Sequence, residues 1–448
     1  MSEKKERIQL GDHFEYGRII RFVFPSIVMM VFTSIYTIVD GLFVSNFAGT
    51  VPFAAINLIM PVFIIVGALG FMLGAGGSAL VSQKLGEKKP EEANRYFSLF
   101  VYTVMVGGVV MSALGQLALR QVSIWLGASG ELLDNCVLYG RIMLCSMVFF
   151  MLQNLFQSFM VAAEKPRLGL VFTVSAGVIN MVLDALFVGL LGWGLAGAAF
   201  ATLVAETFGG LVPVIYFLRP NDSLLQLGRT RVMWPVLWKA TTNGSSEMMN
   251  SIAASVVTIL YNKQLLRLAG SDGVAAYGVI MYVVFIFLGV FMGYAVGIAP
   301  VFSFHYGAGH KAELRSLFRK TMVLLSCAGV LMTAVSWALS GTLTDIFVGY
   351  DADLRAMTLH GMRIFVTCFL LSWFVVFGSS FFTALGNGLI SATISFLRTL
   401  VFECGSVLLL PMILGLNGVW GSIVVAEVMA CVVTGVFLLK KRKEYFYD

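Results

Sequence analysis

Charge is scarce in this chain. Lys, Arg, Asp and Glu together make up 12% of its 448 residues, half of the roughly 25% found in soluble globular proteins. Cysteine is sparse as well. Cys136, Cys145, Cys327, Cys368, Cys404 and Cys431 fall in or beside apolar runs, and none forms a CxxC pair. That pattern excludes a zinc ribbon and gives no sign of a disulfide framework. HExxH, P-loop and GxSxG motifs are missing, so nothing supports hydrolytic or ATP-driven chemistry. An enzyme is therefore not expected, and energy for any work must come from an ion gradient. The N-terminal MSEKKERIQLGDHFEYGR has no signal-peptide h-region with a cleavage site, so the first span is expected to act as an uncleaved insertion signal.

Apolar residues are abundant: 58% of the chain, with a mean hydropathy of +0.89. Runs of about 20 apolar residues, each long enough to cross a bilayer, follow one another to the C-terminus. About twelve spans are expected, near 19–44, 53–81, 96–117, 136–162, 168–191, 195–217, 236–268, 274–304, 318–346, 359–383, 389–414 and 417–439. The net charge of +6 does not imply a nucleic-acid partner, because the basic residues sit at segment ends. Lys4, Lys5, Arg7, Arg18 and Arg21, Lys84 to Arg95, Lys165 and Arg167, Arg219 to Lys239, Lys311 to Lys320 and Lys440 to Lys443 share one side. Arg120, Arg141, Lys263, Arg267, Arg355 and Arg363 face the other, and Arg398 alone lies well inside a span. The positive-inside rule then places both termini in the cytoplasm of a multi-pass inner-membrane protein.

A shift of 221 residues superposes the two halves of the chain. Ala48-Gly49 meets Ala269-Gly270, and Gly76, Ser82 and Gly86 meet Gly297, Ser303 and Gly307. Likewise Gly194-Leu195 meets Gly415-Leu416, and Val204-Ala205-Glu206 meets Val425-Ala426-Glu427. The expected organisation is an N-lobe over 1–218, a polar linker over 219–235 and a C-lobe over 236–448. Two like-oriented halves around a central pathway are a common transporter plan.

Six carboxylates fall inside spans: Asp40, Asp184, Glu206, Glu247, Glu403 and Glu427. Each costs about 2.5–3.5 kcal/mol to insert, so such residues mark functional sites unless paired. Asn180 and Asp184, four apart in the fifth span, share a helix face. With Asp40 from the first span and Thr202 from the sixth they form a set of hard oxygen ligands. That set suits Na⁺, or a carboxylate pair sharing a proton. Glu247, Glu403 and Asn262 are candidates for a substrate contact or a second ion site in the C-lobe. For Glu403 an internal ion pair with Arg398 is the competing reading, and Glu206 and Glu427, as repeat partners, fit packing or gating as well as chemistry. His305 and His360 at helix ends read as interfacial residues.

The stretches VDGLFVSNFAG, VINMVLDALFVGLLGWGLAGAAFAT and IAPVFSFHYGAG resemble the MATE family, the multidrug and toxic compound extrusion transporters. NGSSEMMNS is similar to the acidic seventh span of a DinF- and MepA-like bacterial branch. The resemblance implies an all-α fold of two six-helix bundles of the MATE/MOP type. It implies a monomeric antiporter in the membrane lipid that exchanges Na⁺ or H⁺ for small organic cations and uses no other cofactor. It carries the cation site onto Asp40, Asn180, Asp184 and Thr202. FLLSWFVVFGSSFFTALG lacks the acid that some members carry in the tenth span. A lipid-linked saccharide flippase of the same superfamily is the alternative, but its anionic headgroup calls for basic residues within the cavity.

Overall fold

The computed structural model describes residues 8–44, 47 and 49–445. Lys4, Lys5 and Arg7 of the basic tally, and Ala48 of the repeat, lie outside them. The regular elements of the described chain are all helices: α1 Tyr16–Phe43, α2 Thr50–Gly86, α3 Pro90–Trp125, α4 Gly130–Ala162, α5 Pro166–Asp184, α6 Gly194–Leu218 and α7 Trp234–Asn243. These are followed by α8 Ser245–Gly307, α9 Lys311–Val348, α10 Ala352–Phe365, α11 Phe369–Ala384, α12 Gly388–Phe396, α13 Cys404–Leu414 and α14 Leu416–Lys441. Helices predominate because in lipid each backbone N–H and C=O must be satisfied within its own segment.

Among the described residues, eleven helical stretches are long and apolar enough to cross a membrane. One of them, the 63-residue α8, is two spans. A straight helix of that length would extend about 95 Å, three times the hydrocarbon thickness. Instead the backbone breaks at Gly270, with φ 63° and ψ −151°, a region open essentially to glycine alone. Tyr261 and Tyr277 stack across the break at 4.8 Å, so the two arms fold back on each other. Twelve spans result. The seventh starts differently from its sequence reading: Gly244 divides 236–268 into the short α7 and the first arm of α8.

The internal repeat is written in the backbone. Left-handed positions pair across the halves at the 221-residue shift: Gly49 with Gly270, Lys88 with Gly309, and Gly194 with Gly415. Each marks the same turn in its half. Apolar packing falls into two large clusters. One is built from residues 59–240, the other from the C-half together with Leu10, Phe14, Ile19, Phe22, Val23 and Val161. The connection over 219–235 lies against α3, with Gln226 N donating to Asn94 Oδ1 (2.9 Å) and Gly228 N to Ser98 Oγ (3.0 Å).

The halves meet closely at the end of the bundle that carries the basic loops. A Cβ on Gly244 would lie 1.9 Å from Met72 O, one on Gly76 2.1 Å from Ala240 O, and one on Gly307 2.2 Å from Gln83 O. Such backbone-to-backbone approach is what small residues permit between membrane helices. Polar side chains stitch the same seam. Asn243 Nδ2 reaches Gly76 O (3.5 Å) in the N-half and Thr383 O (2.8 Å) in the C-half, and Gln83 Nε2 donates across to Ala384 O (3.0 Å), which also accepts from Ser303 Oγ (2.8 Å) of its own half.

The segment before α1 straps this end. Leu10 and Phe14 are fully buried. Leu10 N donates to Glu164 Oε1 (2.7 Å) in the N-half. Phe14 N donates to Glu313 Oε1 (3.0 Å), His13 Nδ1 lies 2.7 Å from Glu313 Oε2, and Lys320 Nζ donates to Phe14 O (2.6 Å), all in the C-half. His305 is buried beneath the strap, edge-on to Phe14 and 3.2 Å from His310 Nδ1. It is therefore a packed residue and not the interfacial one its helix-end position suggests. His360 is as expected, exposed and bonded to Asn417 Oδ1 at 2.7 Å.

Candidate functional site

The acids of the N-half converge. Asn180 and Asp184 stand one turn apart on the buried face of α5, 3% and 0% exposed. Gly177, one turn earlier, lets that face settle on α1, because a Cβ there would meet Phe32 and Tyr36. This docking brings Asp40, near the end of α1, against Asp184, so that the two carboxyl groups interact directly. α6 supplies Thr202, whose hydroxyl accepts from Asn180 Nδ2 at 3.4 Å and donates to Ala198 O at 3.0 Å. All four residues of the expected set are thus brought together from three helices. A π-helical turn, Ala185–Leu190, follows Asp184 directly. Such turns frequently occur at functional sites.

Both oxygens of Asp184 and Oδ1 of Asp40 are buried without a hydrogen-bond donor. Two carboxylates side by side in an apolar setting repel each other unless a proton or a cation lies between them. The donor set fits a hard cation: two carboxylates, an amide and a hydroxyl, all oxygen. Among the described residues no three His, Cys, Asp or Glu side chains gather as a metal-binding group.

The sequence reading leaves three residues out of this centre. Glu206 on α6 lies within electrostatic reach of Asp40, and its Oε2 is buried without a partner. Tyr36 and Tyr139 lie nearby, each within electrostatic reach of Asp40 and Glu206. Glu206 was legible as an intramembrane acid but not as a neighbour of Asp40. Nothing marks the two tyrosines among the many aromatic residues.

The C-half builds a different centre at the equivalent place. Glu427, repeat partner of Glu206, accepts from Arg398 Nε (3.0 Å) and Ser372 Oγ (2.9 Å), and the second Arg398 nitrogen also reaches it. This corrects the sequence pairing: Arg398 is bonded to Glu427, not to Glu403. Glu403 instead ends the π-helical turn Leu397–Glu403 and faces Tyr261 and Tyr277. Glu247 opens α8, and Asn262 follows 15 residues on, about 22 Å along the helix axis. Glu247 and Asn262 therefore do not share one site. In the N-half Asp184 and Glu206 both lie near Asp40, whereas the C-half centre carries its own cation, Arg398.

Two like-oriented helical lobes with ionisable side chains buried among their apolar helices follow a recurrent transporter plan. The MatE family model matches residues 25–186 and 248–405, one stretch in each half. The chain belongs to the MatE family. It is similar to Multidrug export protein MepA of Staphylococcus saprophyticus, 23% identical with 94% of each chain covered. It is equally similar to that of Staphylococcus haemolyticus, 23% identical over 95% of this chain and 93% of the other. A solved structure described as the outward-facing conformation of a multidrug resistance MATE family transporter of the MOP superfamily superposes with a TM-score of 0.92, at 21% identity and 99% coverage of both chains.

Proposed function

We propose that this chain is a secondary active multidrug exporter of the cytoplasmic membrane. It exchanges Na⁺ or H⁺ for small organic cations by alternating access, with both termini cytoplasmic and one chain as the working unit. The observation that carries this reading is the Asp40–Asp184 pair, buried without donors beside Asn180 and Thr202. The export names of the relatives and the family membership support the same reading. Interlobe contact rises from the basic end to Ser34, whose hydroxyl donates to Phe285 O at 3.2 Å. Asp40 stands six residues further along α1, about 9 Å beyond, where an ion entering from outside would meet it. Binding there changes the packing of α1 on α5, substrate leaves, and the lobes rock inward. The flippase alternative loses its one deep cation, because Arg398 is held by Glu427.

Everted membrane vesicles with separately imposed Na⁺ and pH gradients test the reading on a panel of cationic dyes. Dye accumulation should follow one of the two gradients. Accumulation indifferent to both rejects ion-coupled export.

Inward opening requires the strap to let go of one lobe. Glu313→Ala removes the acceptor of Phe14 N and of His13, hydrogen bonds of a charged group worth about 1.5–3 kcal/mol each. The basic end should then open more often, by roughly ten-fold or more in population. Spin labels on the exposed Arg95 and Arg315 positions read this as growth of a longer interlobe distance. An unchanged distance distribution rejects the strap as a latch.

A further inference from the structure

A crevice of about 570 Å³ opens on the basic end between the strap, α1 and α5. No part of the ion site lines it. Its charged residues are Arg21, Arg167, Lys165, Glu164 and Asp222. Both acids are already engaged. Asp222 holds Lys165 at 2.5 Å and accepts from Tyr216 OH at 3.3 Å, and Glu164 accepts from Leu10 N. Arg21 and Arg167 face the crevice with no ion pair or hydrogen bond to another described residue. Its floor is apolar, from Phe22, Pro25, Leu168 and Val171. The apolar surface continues away from the basic end over Phe24 and Val171, which are about half exposed (57% and 55%). Exposure of that kind on a spanning helix is contact with lipid.

Two cations above a floor that runs into the acyl region match one chemistry, an anionic headgroup on a hydrocarbon tail. The geometry points to a binding site for an anionic phospholipid, its phosphate between Arg21 and Arg167 and its chains along Phe24 and Val171. Arginine suits this task because its planar fork bonds phosphate oxygens in pairs. A basic pocket between helices at the cytoplasmic face is where such lipids bind, so the leaflet assignment rests on the orientation proposed above. A lipid held here packs against Ile8 and Glu164, where the strap is anchored, and so favours the closed basic end.

Native mass spectrometry of the full chain in detergent, with phosphatidylglycerol and phosphatidylcholine offered together, tests the site without transport or orientation. Wild type should retain phosphatidylglycerol preferentially. Each arginine removed in Arg21→Gln and Arg167→Gln should weaken retention roughly five-fold. Arg21→Lys/Arg167→Lys should keep most of it, and Arg315→Gln/Arg319→Gln, exposed elsewhere on the same end, should change nothing. Retention unaltered in the Arg21→Gln/Arg167→Gln variant overturns the proposal. So does displacement of the lipid by inorganic phosphate at equal concentration, since the site would then take a free anion.

Discussion

Asp184→Asn should sharply reduce ion-driven export and leave the protein at least as stable as before. The two effects have opposite causes in one geometry. Asp184 is fully buried, adjoins Asp40, and has no donor on either oxygen. An isosteric amide keeps the shape, donates a hydrogen bond to Asp40 and removes the repulsion, so the thermal midpoint should hold or rise. The same amide takes no proton and gives a cation one charge less. On the proposed mechanism, the link between ion binding and lobe movement is then lost. A coupling free energy of about 1–3 kcal/mol corresponds to 5–150-fold, and concentrative dye export should fall by an amount in that range. Wild-type export by a well-expressed Asp184→Asn protein would remove the pair from the mechanism. Asn180→Ala separates the two ions. It should raise the Na⁺ concentration for half-maximal export if Na⁺ is the ion, and leave a proton-driven profile unmoved.

Much of this arrangement was legible in the sequence because bilayer physics leaves few choices. Apolar runs of span length become helices, and basic clusters mark one end. The 221-residue repeat located in advance the glycines, Gly49 and Gly270, at which each half reverses direction. The Asn180–Asp184 pair was readable because an i, i+4 spacing has one meaning on a helix. What could not be read depends on which helices touch. Arg398 and Glu403 are neighbours in sequence, but the stretch between them is π-helical and the bonded acid arrives from α14. Nor does any periodicity announce that Leu10 and Phe14, in a polar N-terminal stretch, are buried across the seam and cover His305. The break at Gly244 was hidden for a related reason. Its glycine is required by Met72 O of α2, a partner far away in sequence.

The C-half pair carries the largest expected effect on stability. Glu427 is 1% exposed and takes its hydrogen bonds from Arg398 and Ser372. Arg398→Met leaves that carboxylate buried with a single hydroxyl donor. Removing one partner of a buried ion pair costs about 3–5 kcal/mol, whereas replacing both by uncharged groups of similar volume is often neutral. Arg398→Met/Glu427→Gln should therefore recover most of the loss, and thermal unfolding in detergent of the singles and the double measures the coupling. The repeat supplies an internal control. Glu206 occupies the matching position in the N-half, where the neighbouring charges are acids, so Glu206→Gln should be neutral or stabilising where Glu427→Gln destabilises. The contrast in sign also bears on transport. A half that contains its own cation needs none from solution, so the double variant should export with an unchanged ion dependence. A changed dependence would show that the C-half also binds the coupling ion.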